Sequence, residues 1–271
     1  MHEKAGFLAR PRYETNKHFE NENIGLCFTR QLLGDRWKHI FISKDAIDGC
    51  TVSLKSREWT YIAPLYIYNG GSGYAEIDFD GHKRYTNFTQ NFIKKYIEEI
   101  NFQPTPEEIL AYIYAVLHSS VYRNKYIEFL KTDFPAVPFT TDKATFDNYA
   151  KFGQKLIDLH LLKNLPADKE IRVNYNFDGD FVVEKITQNN NKLHLFTTVQ
   201  KTVTFDGVNS QIYNFEIGSY KPIDKWLKYR IKDKVLLTSD DLQHLKNMII
   251  ALKNTILTMQ EIEKLGEDYL K

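Results

Sequence analysis

The first hundred residues carry short runs in which apolar residues alternate with polar ones, a pattern typical of strands. Three of these runs are rich in β-branched and aromatic residues, LCFTRQ, HIFISK and WTYIAPLYIY, and the turn-forming pair Asp48-Gly49 separates the last two. Residues 69–85, NGGSGYAEIDFDGHKRY, have the composition of a Gly-rich polar loop, and FTQNFIKKYIEEINF after them that of a short helix. We therefore predict a β-rich part over residues 1–100.

Helical periodicity dominates the next part, residues 101–165. Thr105, Pro106 and Glu108 form a start signal, since Thr105 can cap a helix, Pro106 suits its first position and Glu108 can complete a capping box. The residues that follow at helical spacing include many aromatics and are predicted to build the core: Ile109, Leu110, Ile113, Val116, Leu117, Tyr122, Tyr126, Phe129 and Leu130. Pro135 and Pro138 then stop the helix and hold the chain extended, before a further helix from about Thr145 to Leu162.

Strand patterns return over residues 166–218 and give way to helices over residues 219–271. Turn signals at Asp178-Gly179 and Asp206-Gly207 predict an antiparallel meander of the segments IRVNYNF, DFVVEKI, KLHLFTTV, KTVTF and QIYNFEI. Pro222 opens a short helix, and a long helix from Ser239 to Leu265 carries a coiled-coil-like apolar seam. The predicted fold class is α+β: a β-rich N-terminal part, a helical middle, an antiparallel β meander and a long C-terminal coiled-coil-like helix.

Composition narrows the class of protein. With 36 Lys and Arg against 35 Asp and Glu the chain is almost neutral, so binding to nucleic acid would require local basic surfaces. Cys27 and Cys50 lie in no metal or redox motif, and we expect buried thiols in a reducing compartment. No apolar run approaches the ~20 residues of a membrane span, and the N-terminus lacks a signal peptide's apolar centre, so the cytoplasm is expected and a membrane partner is not.

Motifs for catalysis are absent from the sequence. It contains no GxxxxGK[ST], GxGxxG, GxSxG or HExxH, and no Asp/Asn-Pro-Pro-Tyr stretch of the kind that amino-methyltransferases use to hold a flipped base. His118 and His160 lie among apolar neighbours and are expected to be satisfied core or boundary residues, while Asp178 and Asp180 fit a hairpin turn better than a catalytic pair. We therefore expect no catalytic residue, metal or cofactor in this chain, and it is not predicted to be a self-sufficient enzyme.

Several segments, in their order along the chain, are similar to those of one family. GFLARPRYE, NIGLCFTRQ, HIFISKDAIDGCTVSLKSREWTYIAPLYIY, YIYAVLHSSVYRNKYIEFLKTDFPAVPF, LIDLHLL and YNFEIGSYKPIDKWLKYR resemble the C-terminal specificity region of type ISP and related type IIG restriction–modification adenine DNA methyltransferases. The resemblance extends from about Gly6 to Leu265 and implies a target recognition domain.

In that family a nuclease, often with a translocase, precedes an adenine methyltransferase, and the recognition domain comes last. The resemblance therefore implies that this chain is the C-terminal part of a parent whose methyltransferase domain should precede Gly6 and would modify adenine N6 with S-adenosylmethionine. The implied partners are double-stranded DNA and the methyltransferase and nuclease domains of the same polypeptide. The terminal helix resembles the spacer helices of specificity subunits, and its seam would dock on another helix of that polypeptide.

Residue chemistry then selects candidates for contact with the major groove of DNA. Arg can bind guanine with two hydrogen bonds, Asn and Gln can do so with adenine, and Lys or Arg can hold phosphates. On these grounds the predicted DNA-binding residues are Arg30, Gln31, Lys55, Arg57, Lys83, Arg84, Arg172, Asn174, Asn176 and Lys201. Arg172, Asn174 and Asn176 are expected on one alternating strand face, and Lys201 is a phosphate candidate.

Two other functions remain open from the sequence. The chain could be a protein-interaction scaffold that docks a catalytic partner without reading DNA, which its near-neutral charge favours. For each candidate residue, a solvated surface charge is the alternative. A chain that itself cleaves or methylates DNA is the least favoured possibility, because the motifs are missing.

Overall fold

The structure, a computed structural model, describes the backbone of residues 13–68, 74–79 and 82–269 and the side chains of residues 13–68 and 84–266. The chain divides into two compact units, unit 1 from Met1–Ile157 with Glu261–Lys271 and unit 2 from Asp158–Gln260. The β-rich part and most of the helical part of the sequence thus share unit 1. The mixed helices and antiparallel sheets confirm the α+β class.

Two three-stranded antiparallel sheets belong to unit 1. The first has the order β2-β1-β3 and the second β4-β6-β5. Their strands are β1 Gly25–Thr29, β2 Ile40–Ser43, β3 Thr60–Pro64, β4 Tyr66–Tyr68, β5 Tyr74–Phe79 and β6 His82–Thr89. The prediction of a polar loop over residues 69–85 is therefore wrong for residues 74–79 and 82–85, because the alternation of Ala75, Ile77 and Phe79 behind the glycines is a strand pattern.

Helices make up the rest of unit 1. A short helix α1, Tyr13–Asn16, runs into a 3-10 turn, Lys17–Phe19, and the later helices are α2 Gln90–Ile100, α3 Pro106–His118, α4 Ser120–Lys125, α5 Ile127–Leu130 and α6 Lys143–His160. The predicted start of α3 is confirmed: the Thr105 hydroxyl accepts from the Glu108 N–H, and the Glu108 carboxylate accepts from the Thr105 N–H. The capping box satisfies two N–H groups that the helix itself cannot pair.

The aromatic helices form the predicted core, except that Phe129 is exposed, and they also explain the proline-containing segment after them. Tyr112 and Tyr122 are fully buried, and their hydroxyls donate to the carbonyls of Pro138 and Ala136, each at 2.8 Å. Tyr96 reaches the Thr140 carbonyl at 3.3 Å in the same way. Alternate carbonyls of one extended segment therefore receive tyrosine hydroxyls, which satisfies backbone groups that have no sheet partner.

Helices α3 and α6 approach each other at a position that only glycine allows. A Cβ on Gly153 would lie 1.7 Å from the carbonyl oxygen of Ala111. The missing side chain lets the two backbones touch, so Gly153 is a packing residue.

Unit 2 is built on a five-stranded antiparallel sheet with the order β11-β8-β9-β10-β7. Its elements are β7 Arg172–Asn174, β8 Phe181–Asn189, β9 Lys192–Thr197, β10 Thr202–Asp206, α7 Ser210–Tyr213, α8 Pro222–Lys232, β11 Leu236–Leu237 and most of α9, Ser239–Tyr269. From Glu261 onward α9 belongs to unit 1. Inward residues of the strands, among them Leu193 and Phe205, share one core with Leu227 of α8 and Leu245 of α9.

Three details predicted for the meander are wrong. QIYNFEI is not a strand, because Asn209 accepts from the Ile212 N–H and starts the helix α7 there. Asp178-Gly179 does not close a hairpin either. Strand β7 pairs with β10, so β7 lies at the edge of the sheet, away from β8. The strand β7 also ends at Asn174, so Asn176 does not extend its alternating face.

The remaining sequence predictions concern single buried groups. His118 is buried with Nδ1 2.8 Å from the Tyr114 carbonyl, and His160 Nε2 lies 3.0 Å from the Thr255 hydroxyl, which confirms both as satisfied residues. Cys27 is buried as predicted, but Cys50 is exposed, because it follows the turn at Asp48 and Gly49 rather than a strand.

Candidate nucleic-acid interface

The buried carboxylate of Glu58 joins two polar loops of unit 1, the loop after β1 and the loop before β3. Glu58 has no solvent-exposed side-chain surface, and its Oε1 accepts from the Leu33 N–H at 2.8 Å. Its Oε2 accepts from the Ser53 hydroxyl at 2.5 Å and lies 3.0 Å from His39 Nε2. Segments on both sides of β2 therefore converge on a single side chain, which fixes the loop after β1 against the loop before β3.

The protonation of this cluster follows from its surroundings. Burial lowers the pKa of His39, and the nearby Glu58 opposes that shift only in part. Burial acts to raise the pKa of Glu58, but hydrogen bonds from Ser53 and Leu33 outweigh it and the pKa is lowered. The Lys38 N–H faces His39 Nδ1 at 3.4 Å, so the network assigns the ring proton to Nε2. At neutral pH the cluster is a carboxylate held by neutral donors.

Four predicted residues lie on the loops that Glu58 joins. Gln31, Lys55 and Arg57 are exposed, and a Cβ on Gly34 would lie 3.8 Å from Lys55 Nζ, so the two loops are neighbours. Arg57 has a positive φ of 74°, a conformation that disfavours residues with a side chain and that the buried Glu58 beside it helps to hold. The structure thus brings the two loops that carry these residues together at one end of the β2-β1-β3 sheet.

Arg30 lies on the same loop but is already engaged. Its Nε is 3.3 Å from Asp133 Oδ1, and its guanidinium lies over the Phe134 ring at 5.4 Å. Both charged side chains are about half exposed, at 53% and 52%, so solvent screens the pair and its contribution is small.

Lys83 and Arg84 are in strand β6 and not in the loop that the sequence predicts. The side chain of Lys83 lies outside the described residues. Arg84 is half-buried and stacks on the Tyr66 ring at 3.9 Å, and the Tyr66 hydroxyl donates to Glu107. This arginine is therefore built into the packing around Tyr66, which is a weaker position for contacting DNA.

A second polar surface is the open face of the unit 2 sheet. Arg172 and Asn174 point to this face beside Asp206 and Thr204 of the neighbouring strand. Asn174 donates to Asp206 at 2.7 Å, and Lys192 pairs with the same carboxylate at 3.1 Å. The amide of Asn174 is thus already bonded within the sheet.

The other predicted DNA-binding residues of unit 2, Asn176 and Lys201, do not lie on the open face of β7. Asn176 is exposed in the connection after β7, and Lys201 lies over the Phe177 ring at 4.9 Å. Sequence reasoning missed Lys185 and His194, which share the open face through the register of β8, β9 and β10. Their alternation within each strand was visible, but the pairing that aligns them was not.

An apolar cavity of about 580 Å³ also lies in unit 1. Aromatic rings dominate its lining: Phe28, Tyr61, Phe88, Phe92, Phe134 and Phe139. Asn87 and Thr89 are polar lining residues, and no charged side chain lines it, so the cavity offers shape and apolar contact but no carboxylate, imidazole or amine.

Neither a metal-holding cluster nor a membrane-spanning helix is found in the described parts of the chain. Among the residues whose placement is described, no group of three or more His, Cys, Asp or Glu is arranged to hold a metal ion. Within the same residues, no helix is both long and apolar enough to cross a bilayer.

Fold and surfaces define a two-unit α+β domain with polar loops in unit 1 and a polar sheet face in unit 2. The chain belongs to the Type ISP C-terminal specificity domain family, whose model matches residues 2–261. None of the curated proteins matches the sequence.

Solved structures share the fold at low identity. The ATP-dependent Type ISP restriction-modification enzyme LlaBIII bound to DNA is 16% identical with a TM-score of 0.63, over 90% of this chain and 16% of that one. A nuclease-deletion mutant of the Type ISP enzyme LlaGI in complex with a DNA substrate mimic is 19% identical with a TM-score of 0.61, over 93% and 18%. A DrdV–DNA complex is 17% identical with a TM-score of 0.61, over 91% and 24%. This chain therefore spans less than a quarter of those polypeptides.

Proposed function

We propose that this chain is the target recognition domain of an adenine-N6 DNA methyltransferase and restriction enzyme. Its membership in the specificity-domain family over residues 2–261 carries the proposal. The related solved polypeptides are DNA complexes of much larger chains. Double-stranded DNA and the catalytic domains of the same polypeptide are the proposed partners, and S-adenosylmethionine would bind in the methyltransferase domain. The cytoplasm is the proposed location.

Base recognition is assigned first to the two loops that Glu58 joins. Arg57, Lys55 and Gln31 are exposed on these loops. The Glu58 carboxylate, which bonds to both loops, holds them in one conformation before DNA binds. A rigid loop loses less conformational entropy on binding, so more of each base contact contributes to discrimination. Arg30 joins this set by exchanging Asp133 for a phosphate or a base edge.

The other predicted residues are proposed as secondary contacts. Lys83 and Arg84 would approach DNA from β6, and Arg172, Asn174, Asn176 and Lys201 would do so from unit 2. Asn174 and Arg84 are the weakest of these, since their side chains already bond or stack within the domain.

The test uses this domain joined to an active adenine methyltransferase domain, with the methylated sequence mapped before and after an exchange. Replacing residues 24–90 by those of a relative with another target should transfer the relative's target. Exchanging residues 143–160, the helix α6, is the matched control and should leave the target as it was. If the first exchange leaves the methylated sequence the same, the recognition surface is elsewhere.

A protein-interaction scaffold that docks a catalytic partner without reading DNA is the alternative function. The scaffold would tolerate the exchange of residues 24–90 with no change in the modified sequence. The same experiment therefore separates the two functions.

A further inference from the structure

The segment from Lys221 to Lys234, KPIDKWLKYRIKDK, concentrates positive charge in a chain that is otherwise slightly acidic. It holds six Lys and Arg against two Asp, a net charge of +4, whereas the whole chain has a net charge of +1. Most of the segment is the helix α8 of unit 2.

The cations of α8 are sorted by helical geometry. Ile223 and Leu227 are buried in the core, and the opposite side of the helix carries a stripe of Lys225, Lys228, Tyr229 and Lys232. Lys228, Tyr229 and Lys232 are exposed, with Tyr229 at 51%. We call these four residues the α8 stripe.

Arg230 of the same helix has a different position. Its guanidinium stacks on the Trp226 ring at 3.5 Å and lies 3.5 Å from the Asp241 carboxylate at the start of α9. Arg230 therefore holds α8 against α9. Of the stripe lysines, Lys228 and Lys232 are exposed, whereas Lys225 is half-buried with its Nζ over the Tyr220 ring at 3.7 Å. Lys228 pairs with Asp224 at 2.9 Å, but its side chain is 70% exposed and the pair is correspondingly weak.

We propose that the α8 stripe binds the phosphate backbone of duplex DNA, independently of its sequence. This inference rests on the proposed function and adds a surface to it. From Lys225 to Lys232 the helix advances seven residues, roughly 10 Å at 1.5 Å per residue. Phosphates of one strand follow about every 3.4 Å of duplex axis, so the stripe matches a run of about three. Tyr229 adds a hydroxyl donor between the lysines.

The stripe competes with the open sheet face for DNA. Ile223 and Leu227 join the core on the covered face of the sheet, so the stripe lies on the side of unit 2 away from Arg172 and Asn174. One straight stretch of duplex reaches only one of these surfaces. Charge favours the stripe, because Asp206 already neutralises part of the sheet face through Lys192.

Two triple variants of this chain, each losing three positive charges from unit 2, provide the test. One is K225Q/K228Q/K232Q in the stripe. The matched control is K163Q/K169Q/K246Q, three lysines of unit 2 that belong neither to the stripe nor to the proposed DNA contacts. Affinity for a non-target duplex is measured against salt concentration. Each lost phosphate contact lowers the slope of log affinity on log salt by about 0.9. The stripe variant should therefore lower the slope by about 2.7, while the control keeps it.

A lower slope in the control alone, or in neither variant, would overturn the inference. So would an unaltered chain that binds anionic lipid vesicles but no duplex. Failure of the proposed function looks different: the stripe variant loses its salt slope, but the exchange of residues 24–90 leaves the methylated sequence unchanged. Because all six positions are exposed or half-exposed, both variants should keep the circular dichroism spectrum of the unaltered chain.

Discussion

Glu58 Oε2 lies 3.0 Å from His39 Nε2, and both side chains are buried, with exposures of 0% and 2%. A carboxylate in this position is stable only while its donors remain, since an unpaired buried charge is costly. The pair therefore ties the conformation of two surface loops to the interior of unit 1, and it makes that conformation sensitive to protons.

The stability of the folded chain should decrease as the pH decreases, and His39 should control this decrease. Because burial lowers the pKa of His39 in the folded chain, the unfolded chain binds protons more readily, and stability present above pH ~6.5 is lost as the pH falls. The lowered pKa of Glu58 acts in the same direction at more acidic pH. Urea unfolding midpoints should therefore decrease from pH 7 to pH 5.

The matched variant for that measurement is His39→Gln, whose amide can still donate to Glu58 but does not titrate. Its midpoint should depend less on pH between 7 and 5. Some dependence should remain, because burial also lowers the pKa of His18. Identical pH dependence in the variant and the unaltered chain would mean that His39 is not the group responsible.

Removal of a tyrosine hydroxyl from the aromatic core should cost more than its size suggests. Tyr122→Phe leaves the Ala136 carbonyl without its 2.8 Å donor, and Tyr112→Phe does the same to Pro138. We expect a loss of about 1–2 kcal/mol for each in the free energy of unfolding. Tyr126→Phe is the control, because Tyr126 contacts Tyr122 through its ring, and it should change stability little. Equal losses in all three would refute a role for the hydroxyls.

Gly153→Ala should destabilise unit 1 strongly, because the new methyl would overlap the Ala111 carbonyl. Overpacking of this kind costs typically about 1–3 kcal/mol, measurable by chemical denaturation. Gly34→Ala is the matched control: its nearest neighbour would be Lys55 Nζ at 3.8 Å, and stability should be almost unchanged.

Two side chains of the candidate interface should differ in their effect on DNA. Arg57→Ala should weaken discrimination of the target by about 1–3 kcal/mol if it contacts a guanine, whereas Asn174→Ala should matter less because that amide serves Asp206. Binding to target duplexes and to duplexes with one changed base pair measures both. A larger loss for Asn174→Ala would move the recognition surface to unit 2.

The sequence predicted the elements whose signals are local. The capping box of Thr105 and Glu108, the core aromatics of α3 and the long α9 all follow from neighbouring residues. The Gly-rich stretch concealed β5 and β6, and QIYNFEI has a strand composition that the cap at Asn209 overrides.

Features that depend on distant pairing could not be predicted from spacing. Strand β7 joins β10, so the turn at Gly179 leads away from its neighbour in sequence, and Asn174 meets Asp206 across that pairing. For the candidate site, selection by residue type pointed to Lys55 and Arg57, which are exposed in the structure. They gave no sign that Arg84 stacks on Tyr66, nor that a single carboxylate supports both loops.

The residue that fixes the conformation of the two loops, Glu58, is not one of the exposed residues that the loops present to solvent. Residues such as Lys55 and Arg57 project outward, while the backbone beneath them is fastened by a side chain that no ligand needs to touch. Substitutions at the tips can therefore accumulate without loss of the scaffold. Related domains can therefore come to recognise a new DNA sequence through substitutions at a few exposed loop residues, provided that Glu58 and its hydrogen bonds are kept.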